Sequence, residues 1–136
     1  MTPTDDLRTS ATRGRPLVLL VEDHGELRQL YAHELTLSGF DVIEATNGAD
    51  AIARAAVDAP DVVLMDLSLP VIDGWEATRR LKSDARTSHI PVVALTAHDG
   101  SGELQRATRA GCDWFVPKPC PPDALIAEVQ RVLSNR

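Results

Sequence analysis

Three acids, a hydroxyl and an ammonium each stand at the end of a short apolar run in this sequence. Leu17-Val18-Leu19-Leu20-Val21 runs into Glu22-Asp23, and Val62-Val63-Leu64-Met65 into Asp66. Val92-Val93-Ala94-Leu95 runs into Thr96, and Trp114-Phe115-Val116-Pro117 into Lys118. Carboxylates gathered at one point repel one another, and one is driven toward protonation unless a cation joins them. Oxygen ligands favour a hard ion, Mg2+ first, which takes about six oxygens and keeps several waters. Glu22, Asp23 and Asp66, with a backbone carbonyl from the loop after Asp66 and positions left open, describe a site that expects a phosphate. There Lys118 suits a phosphoryl oxygen as a point charge, and Thr96 can donate a hydrogen bond to another. Asp66 is then the nucleophile, and its attack on phosphorus gives an acyl phosphate. A purely structural Asp66–Lys118 ion pair is the plainer reading, but it leaves Glu22 and Asp23 without a role.

These side chains meet only if the runs are parallel strands. Val62–Met65 is too short for a typical helix and rich in β-branched residues, as in a strand buried on both faces. In open parallel sheets, ligands bind outside the carboxyl ends of the strands. Between the strands, Leu27, Leu30, Tyr31 and Leu35 recur at helical spacing, with Gly39 as a left-handed stop. Asp41–Ala45 alternates like an edge strand, and Asn47 caps a helix carrying Ala51, Ile52, Ala55 and Ala56 that Pro60 closes. Asp73 and Glu76 form a variant capping box for a third helix that turns Ala77 and Leu81 inward, with Trp75 half-buried beside them.

Ser83 to His89 reads as a polar loop. A fourth helix, from about Asp99 to Ala110, carries Gly100 and Gly102 in its first turn and ends at Gly111. Each glycine costs about 0.5–1 kcal/mol relative to alanine, so this helix is expected to be the least firmly held. Pro117 cannot donate to a ladder and marks strand 5 as an edge. Pro121 and Pro122 open a last helix with Leu125, Val129, Val132 and Leu133 on one stripe. The expected fold is α/β: a doubly wound (βα)5 three-layer sandwich on a parallel sheet of order 2-1-3-4-5, flavodoxin-like. Its switch point lies between strands 1 and 3 and brings Glu22, Asp23 and Asp66 together.

At 136 residues and 43% hydrophobic content, the chain has the size and composition of one globular domain with a substantial core. A formal charge of −6 disfavours nucleic acid as a partner, and the densest basic group, Arg79-Arg80-Leu81-Lys82, reads as a solvated helix face. Cys112 and Cys120 make no disulfide framework and read as small packing residues. No apolar run approaches the length of a membrane span, and Met1–Arg15 lacks a signal-peptide core. The expectation is a cytoplasmic protein with a flexible tail over residues 1–15 and a folded domain over 16–136.

Glu22-Asp23, Asp66-Leu67-Ser68-Leu69-Pro70 with Asp73-Gly74, Thr96-Ala97 and Lys118-Pro119, in this order and spacing, resemble the receiver domain of bacterial two-component response regulators. The resemblance spans about residues 16 to 134. It implies that Asp66 accepts a phosphoryl group from a sensor histidine kinase or histidine phosphotransfer protein. It also implies that Asp23 and Asp66 bind Mg2+ directly, that Glu22 binds largely through water, and that the Ser68 carbonyl is a further ligand. Thr96 and Phe115 match the family's switch pair, which implies output to a downstream effector through the face of the fourth helix, fifth strand and fifth helix. Phe115 stands where tyrosine is often found, Leu69 where methionine is frequent, and His98 at a position that influences how fast the acyl phosphate hydrolyses. No nucleic acid or membrane is implied, and a monomer or weak homodimer is expected.

The chain stops about where the last helix ends, as in single-domain regulators that resemble the chemotaxis regulator; a receiver fragment of a larger regulator or hybrid kinase would look the same. An aspartate-nucleophile phosphatase needs a second aspartate two residues beyond the nucleophile, where this sequence has Ser68. A flavodoxin-like cofactor binder needs a phosphate loop after strand 1, where Glu22-Asp23 carries the wrong charge.

Overall fold

The apolar runs become strands β1 (Leu17–Val21), β2 (Asp41–Ala45), β3 (Val62–Asp66), β4 (Val92–Ala97) and β5 (Trp114–Lys118). They pair in parallel in the order β2-β1-β3-β4-β5, with Leu20 opposite Leu64, Asp66 opposite Leu95 and Ala97 opposite Lys118. Helices α1 (Gly25–Leu37), α2 (Gly48–Asp58), α3 (Gly74–Ser83), α4 (Glu103–Ala110) and α5 (Pro122–Ser134) connect and follow them. This computed structural model describes residues 14–97 and 102–135. The doubly wound architecture and strand order expected from the sequence are borne out, and both predicted edges, β2 and the Pro117-bearing β5, lie at the sheet's margins.

Alternation along the strands is hidden in the sequence because both faces are covered. Leu19, Val21, Val63, Met65, Val92 and Ala94 pack with Ala51 and Ala55 of α2, Ala77 and Leu81 of α3 and Ala107 of α4. Val18, Leu20, Val62, Leu64, Val93 and Leu95 face the other way, onto Tyr31 and Leu35 of α1 and Leu125, Val129 and Val132 of α5. Every residue from Val62 to Met65 is 0% exposed, and burying each such side chain contributes about 1.5–3 kcal/mol. An unbroken apolar run is therefore what a central strand of this sheet requires, and the strand ends are where polar groups can begin.

Local signals set the helix boundaries. The Asn47 side chain accepts from the Asp50 amide at 2.8 Å, and Asp73 from the Glu76 amide at 2.9 Å. Gly39 (φ 99) and Gly111 (φ 102) take the left-handed conformation expected of them. Behind each, the next amide reaches back: Phe40 donates to the Leu35 carbonyl and Cys112 to the Ala107 carbonyl, each at 3.1 Å.

Several expectations need correction. Leu30 is 45% exposed, because Tyr31, about 100° further round the helix, takes the inward position and donates its hydroxyl to the Cys120 carbonyl at 2.7 Å. Glu76 does not complete a capping box; its carboxylate accepts from Arg79 and Arg80 instead. Lys82 does not share the solvated face of Arg79 and Arg80: its Nζ donates to the Ile90 carbonyl at 2.7 Å and pairs with Asp113 at 2.8 Å. In the polar loop, Thr87 is buried and donates to the Leu81 carbonyl at 2.7 Å. Arg15, the last residue of the expected tail, holds the Thr36 and Phe40 carbonyls at 2.9 Å each. The fourth helix starts at Glu103, and Gly102 (φ 84) is its N-cap and not part of its first turn, because its left-handed backbone lies outside helical geometry. The rest of the expected tail up to residue 13, His98, Asp99 and Gly100 lie outside the described residues.

Candidate active site

Asp66 is the final residue of β3, and Glu22 and Asp23 follow β1 directly, so the neighbouring strands deliver three carboxylates to one edge. One oxygen from each lies within 4.8 Å of the others. Glu22 and Asp66 are each 2% exposed, whereas Asp23 is open to solvent. Lys118, the last residue of β5, reaches across β4 to donate to Asp66 Oδ1 at 2.6 Å. The same oxygen accepts from the Ser68 amide at 3.2 Å, so the residue after β3's turn reinforces one side of the carboxylate. A loop amide and a strand-borne ammonium thus hold Asp66 in a fixed orientation.

The electrostatics are unbalanced. Among the described residues one ammonium faces three acids, and Glu22 Oε1 is buried without a hydrogen-bond partner. Glu22 Oε2 accepts from the His24 amide at 3.2 Å, which lowers the carboxyl's proton affinity, as does Lys118. Burial and the adjacent Asp66 charge outweigh both and push Glu22 up to about 7, from an ordinary 4.5. A buried carboxylate oxygen with no donor, beside two further acids, is what a hard divalent cation relieves. The donor set here is all oxygen, so it fits Mg2+ by ligand type as well as charge.

A family model for the response regulator receiver domain matches residues 18–130 of this chain. The chain belongs to the response-regulator receiver family. Among its relatives, the polar-differentiation response regulator DivK of Brucella anthropi is 34% identical over 118 residues, covering 87% of this chain and 96% of DivK. The receiver domain of the sensor histidine kinase PA1611 from Pseudomonas aeruginosa superposes with a TM-score of 0.78 at 31% identity, covering 89% and 96% of the two chains. That structure carries a magnesium ion coordinated in its active-site cleft. The chemotaxis regulator CheY4 of Vibrio cholerae gives a TM-score of 0.80 at 29% identity, over 87% and 98%. Receiver domains are signalling domains of two-component systems, and they interact with histidine kinases and effectors.

In this receiver the remaining sequence-predicted residues fall as follows. Thr96 is buried on β4, one residue beyond the partner of Asp66. Phe115 pairs with Ala94 across the β4–β5 ladder, which puts Thr96 and the Phe115 ring on the same face of the sheet. Phe115 is half-buried, and the residue borders a cavity of about 210 Å3 lined also by Cys120, Ala124 and Glu128. Ser68 is exposed at the mouth of the site. Cys112 and Cys120 are free thiols, the first buried near Thr78. No helix among the described residues is long and apolar enough to cross a membrane.

Sequence reasoning missed four supports of this site. His24 caps α1, its Nδ1 accepting from the Leu27 amide at 3.2 Å, while its own amide holds Glu22. Arg28 donates to the Glu22 carbonyl at 3.0 Å and pairs with Glu44, tying the acidic turn to β2. Tyr31 anchors the turn after Lys118 through the Cys120 carbonyl, and burial pushes its phenol up to about 12. Gly48 lies so close to the loop after β3 that a Cβ there would stand 2.1 Å from the Ile72 carbonyl oxygen. His24 had a legible signal, since it stands three residues before Leu27 in an N-cap position. The other three are long-range contacts with no local pattern.

Proposed function

We propose that this receiver is a phosphorylation-switched signalling module whose phosphoacceptor is Asp66. An Asp66 oxygen attacks the phosphorus of a phosphohistidine on a sensor histidine kinase or histidine phosphotransfer protein. The phosphohistidine carries a proton on its other ring nitrogen, so as the new O–P bond forms and the N–P bond breaks, the electron pair leaves with an imidazole that departs neutral. The observation that carries this reading is the 2.6 Å contact of Lys118 with a buried aspartate inside a cluster of three acids. Lys118 neutralises a phosphoryl oxygen as negative charge gathers there, and Thr96 donates to another. Asp23 and Asp66 would hold Mg2+ directly, with the Ser68 carbonyl as a further ligand and Glu22 acting largely through water. When bound, the ion supplies neutralising charge for the transferring group.

Once Asp66 is phosphorylated, the Thr96 hydroxyl moves toward the phosphoryl group and Phe115 turns inward. That shifts a pre-existing equilibrium at the α4–β5–α5 face, which engages a downstream effector. The reading assigns the folded receiver to residues 16–136, with Arg15 anchored to it, in the cytoplasm. Its test is intact mass after incubation with acetyl phosphate. Wild type with Mg2+ gains one phosphoryl group, and neither the EDTA-treated protein nor Asp66→Asn does. Equal labelling of Asp66→Asn would overturn it.

A further inference from the structure

Away from the acidic edge, helices α3 and α4 frame a cleft of about 300 Å3 whose walls include Trp75, Arg79, Arg106 and Arg109. The Arg106 guanidinium lies 3.7 Å from the centroid of the Trp75 ring, a cation–π stack that orders a side chain otherwise free to wander. Arg109 follows three residues later, on the same helix face. The two acids of the cleft are already engaged: Asp73 caps α3, and the Glu76 carboxylate is shared between Arg79 and Arg80. Among the described residues neither Arg106 nor Arg109 pairs with a carboxylate. A chain with a net charge of −6 thus presents in one recess, among its described residues, two guanidinium groups without a carboxylate partner, one of them stacked on an indole.

We infer that this cleft is a binding site for a phosphorylated small molecule with a planar ring, of mononucleotide size. Guanidinium groups meet phosphate oxygens through paired N–H bonds, and their flat faces stack on aromatic rings. The Trp75–Arg106 stack supplies the planar platform, and Arg109 supplies the donors. A cleft of this volume is at the scale of small-ligand sites. An acidic peptide would use the charge, but it would leave the stacked platform without a planar group. The site is separate from Asp66 and does not rest on the phosphoacceptor reading.

The test is calorimetric titration of the full chain with GMP in EDTA, so that no divalent ion draws nucleotide to the acidic cluster, with the Trp75 indole followed by NMR. Saturable one-to-one binding that moves the Trp75 resonance is expected, weakened about tenfold or more in Arg106→Gln and in Arg109→Gln. Guanosine and inorganic phosphate, each carrying half of the ligand's chemistry, should bind at least about tenfold more weakly than GMP. Arg131→Gln, on α5 outside the cleft, should leave GMP binding unchanged. Absence of saturation, an equal loss in Arg131→Gln, or a polyglutamate peptide that binds more tightly than GMP and displaces it would each overturn the inference. Arg106 and Arg109 are exposed, so unchanged thermal unfolding of the variants separates lost binding from lost fold.

Discussion

Replacing Glu22 with glutamine removes the charge from the buried oxygen pair that lacks a full set of donors, and its consequence for stability has a definite sign. In the metal-free protein Glu22 holds its proton up to about pH 7, whereas in the unfolded chain it releases it near 4.5. The folded state therefore binds more protons between those values, and stability falls as pH rises through that window. The contribution is fully present below about pH 4.5 and lost above about pH 7; the span corresponds to about 3 kcal/mol. Glu22 is 2% exposed, so solvent screening does little to shrink that figure. Urea denaturation in EDTA, run for wild type and Glu22→Gln from about pH 5 to 8, isolates the effect, because every other titrating group is common to both. Glu22→Gln should gain on wild type steadily as pH rises, by up to about 3 kcal/mol. Mg2+ should restore wild type far more at pH 8 than at pH 5, since below about pH 7 the cation must displace a proton. Parallel stability profiles for the two proteins, or a wild type that strengthens relative to the variant as pH rises, would refute the reasoning.

Lys118→Ala leaves a buried carboxylate cluster with no ammonium; in EDTA near pH 8 it should cost about 3 kcal/mol by urea denaturation. The same variant should be phosphorylated at least about tenfold more slowly by acetyl phosphate, yet bind Mg2+ no more weakly, because a competing cation is gone. Gly48→Ala forces the Ile72 carbonyl to move, so it should destabilise by about 1–3 kcal/mol and weaken Mg2+ binding through the displaced loop, both measurable by denaturation with and without the ion. Tyr31→Phe should cost about 1–2 kcal/mol, the Cys120 carbonyl having lost its donor.

The sequence carried the sheet and its reactive edge because the relevant signals are local. A run such as Val62–Met65 announces a strand covered on both faces, and the abrupt change to Asp66 announces where it stops. Pro117 and the polar β2 identified the margins, and margins plus right-handed crossovers leave little freedom in strand order. Capping residues were equally readable at Asn47 and Asp73, since each acts within three residues of itself. What escaped was set by partners distant in the chain. Leu30 and Tyr31 are both apolar enough for a core stripe, and a carbonyl at Cys120 decides which one turns in. Lys82 looks like its neighbours Arg79 and Arg80 until Ile90 and Asp113 are folded against it. Nothing near Gly48 signals that Ile72 will press on it, and nothing near Glu22 says that one of its oxygens will be buried without a donor.

The central claim is that the buried aspartate at the end of β3 carries the phosphoryl group, and chemical trapping tests it most directly. The protein is phosphorylated from a phosphohistidine-bearing phosphotransfer protein in the presence of Mg2+, reduced with borohydride, digested and sequenced by mass spectrometry. Reduction converts an aspartyl phosphate to homoserine, and the account predicts homoserine at position 66 alone. Homoserine at another acid, or a phosphoryl group retained on a serine, threonine or histidine with Asp66 intact, would contradict it.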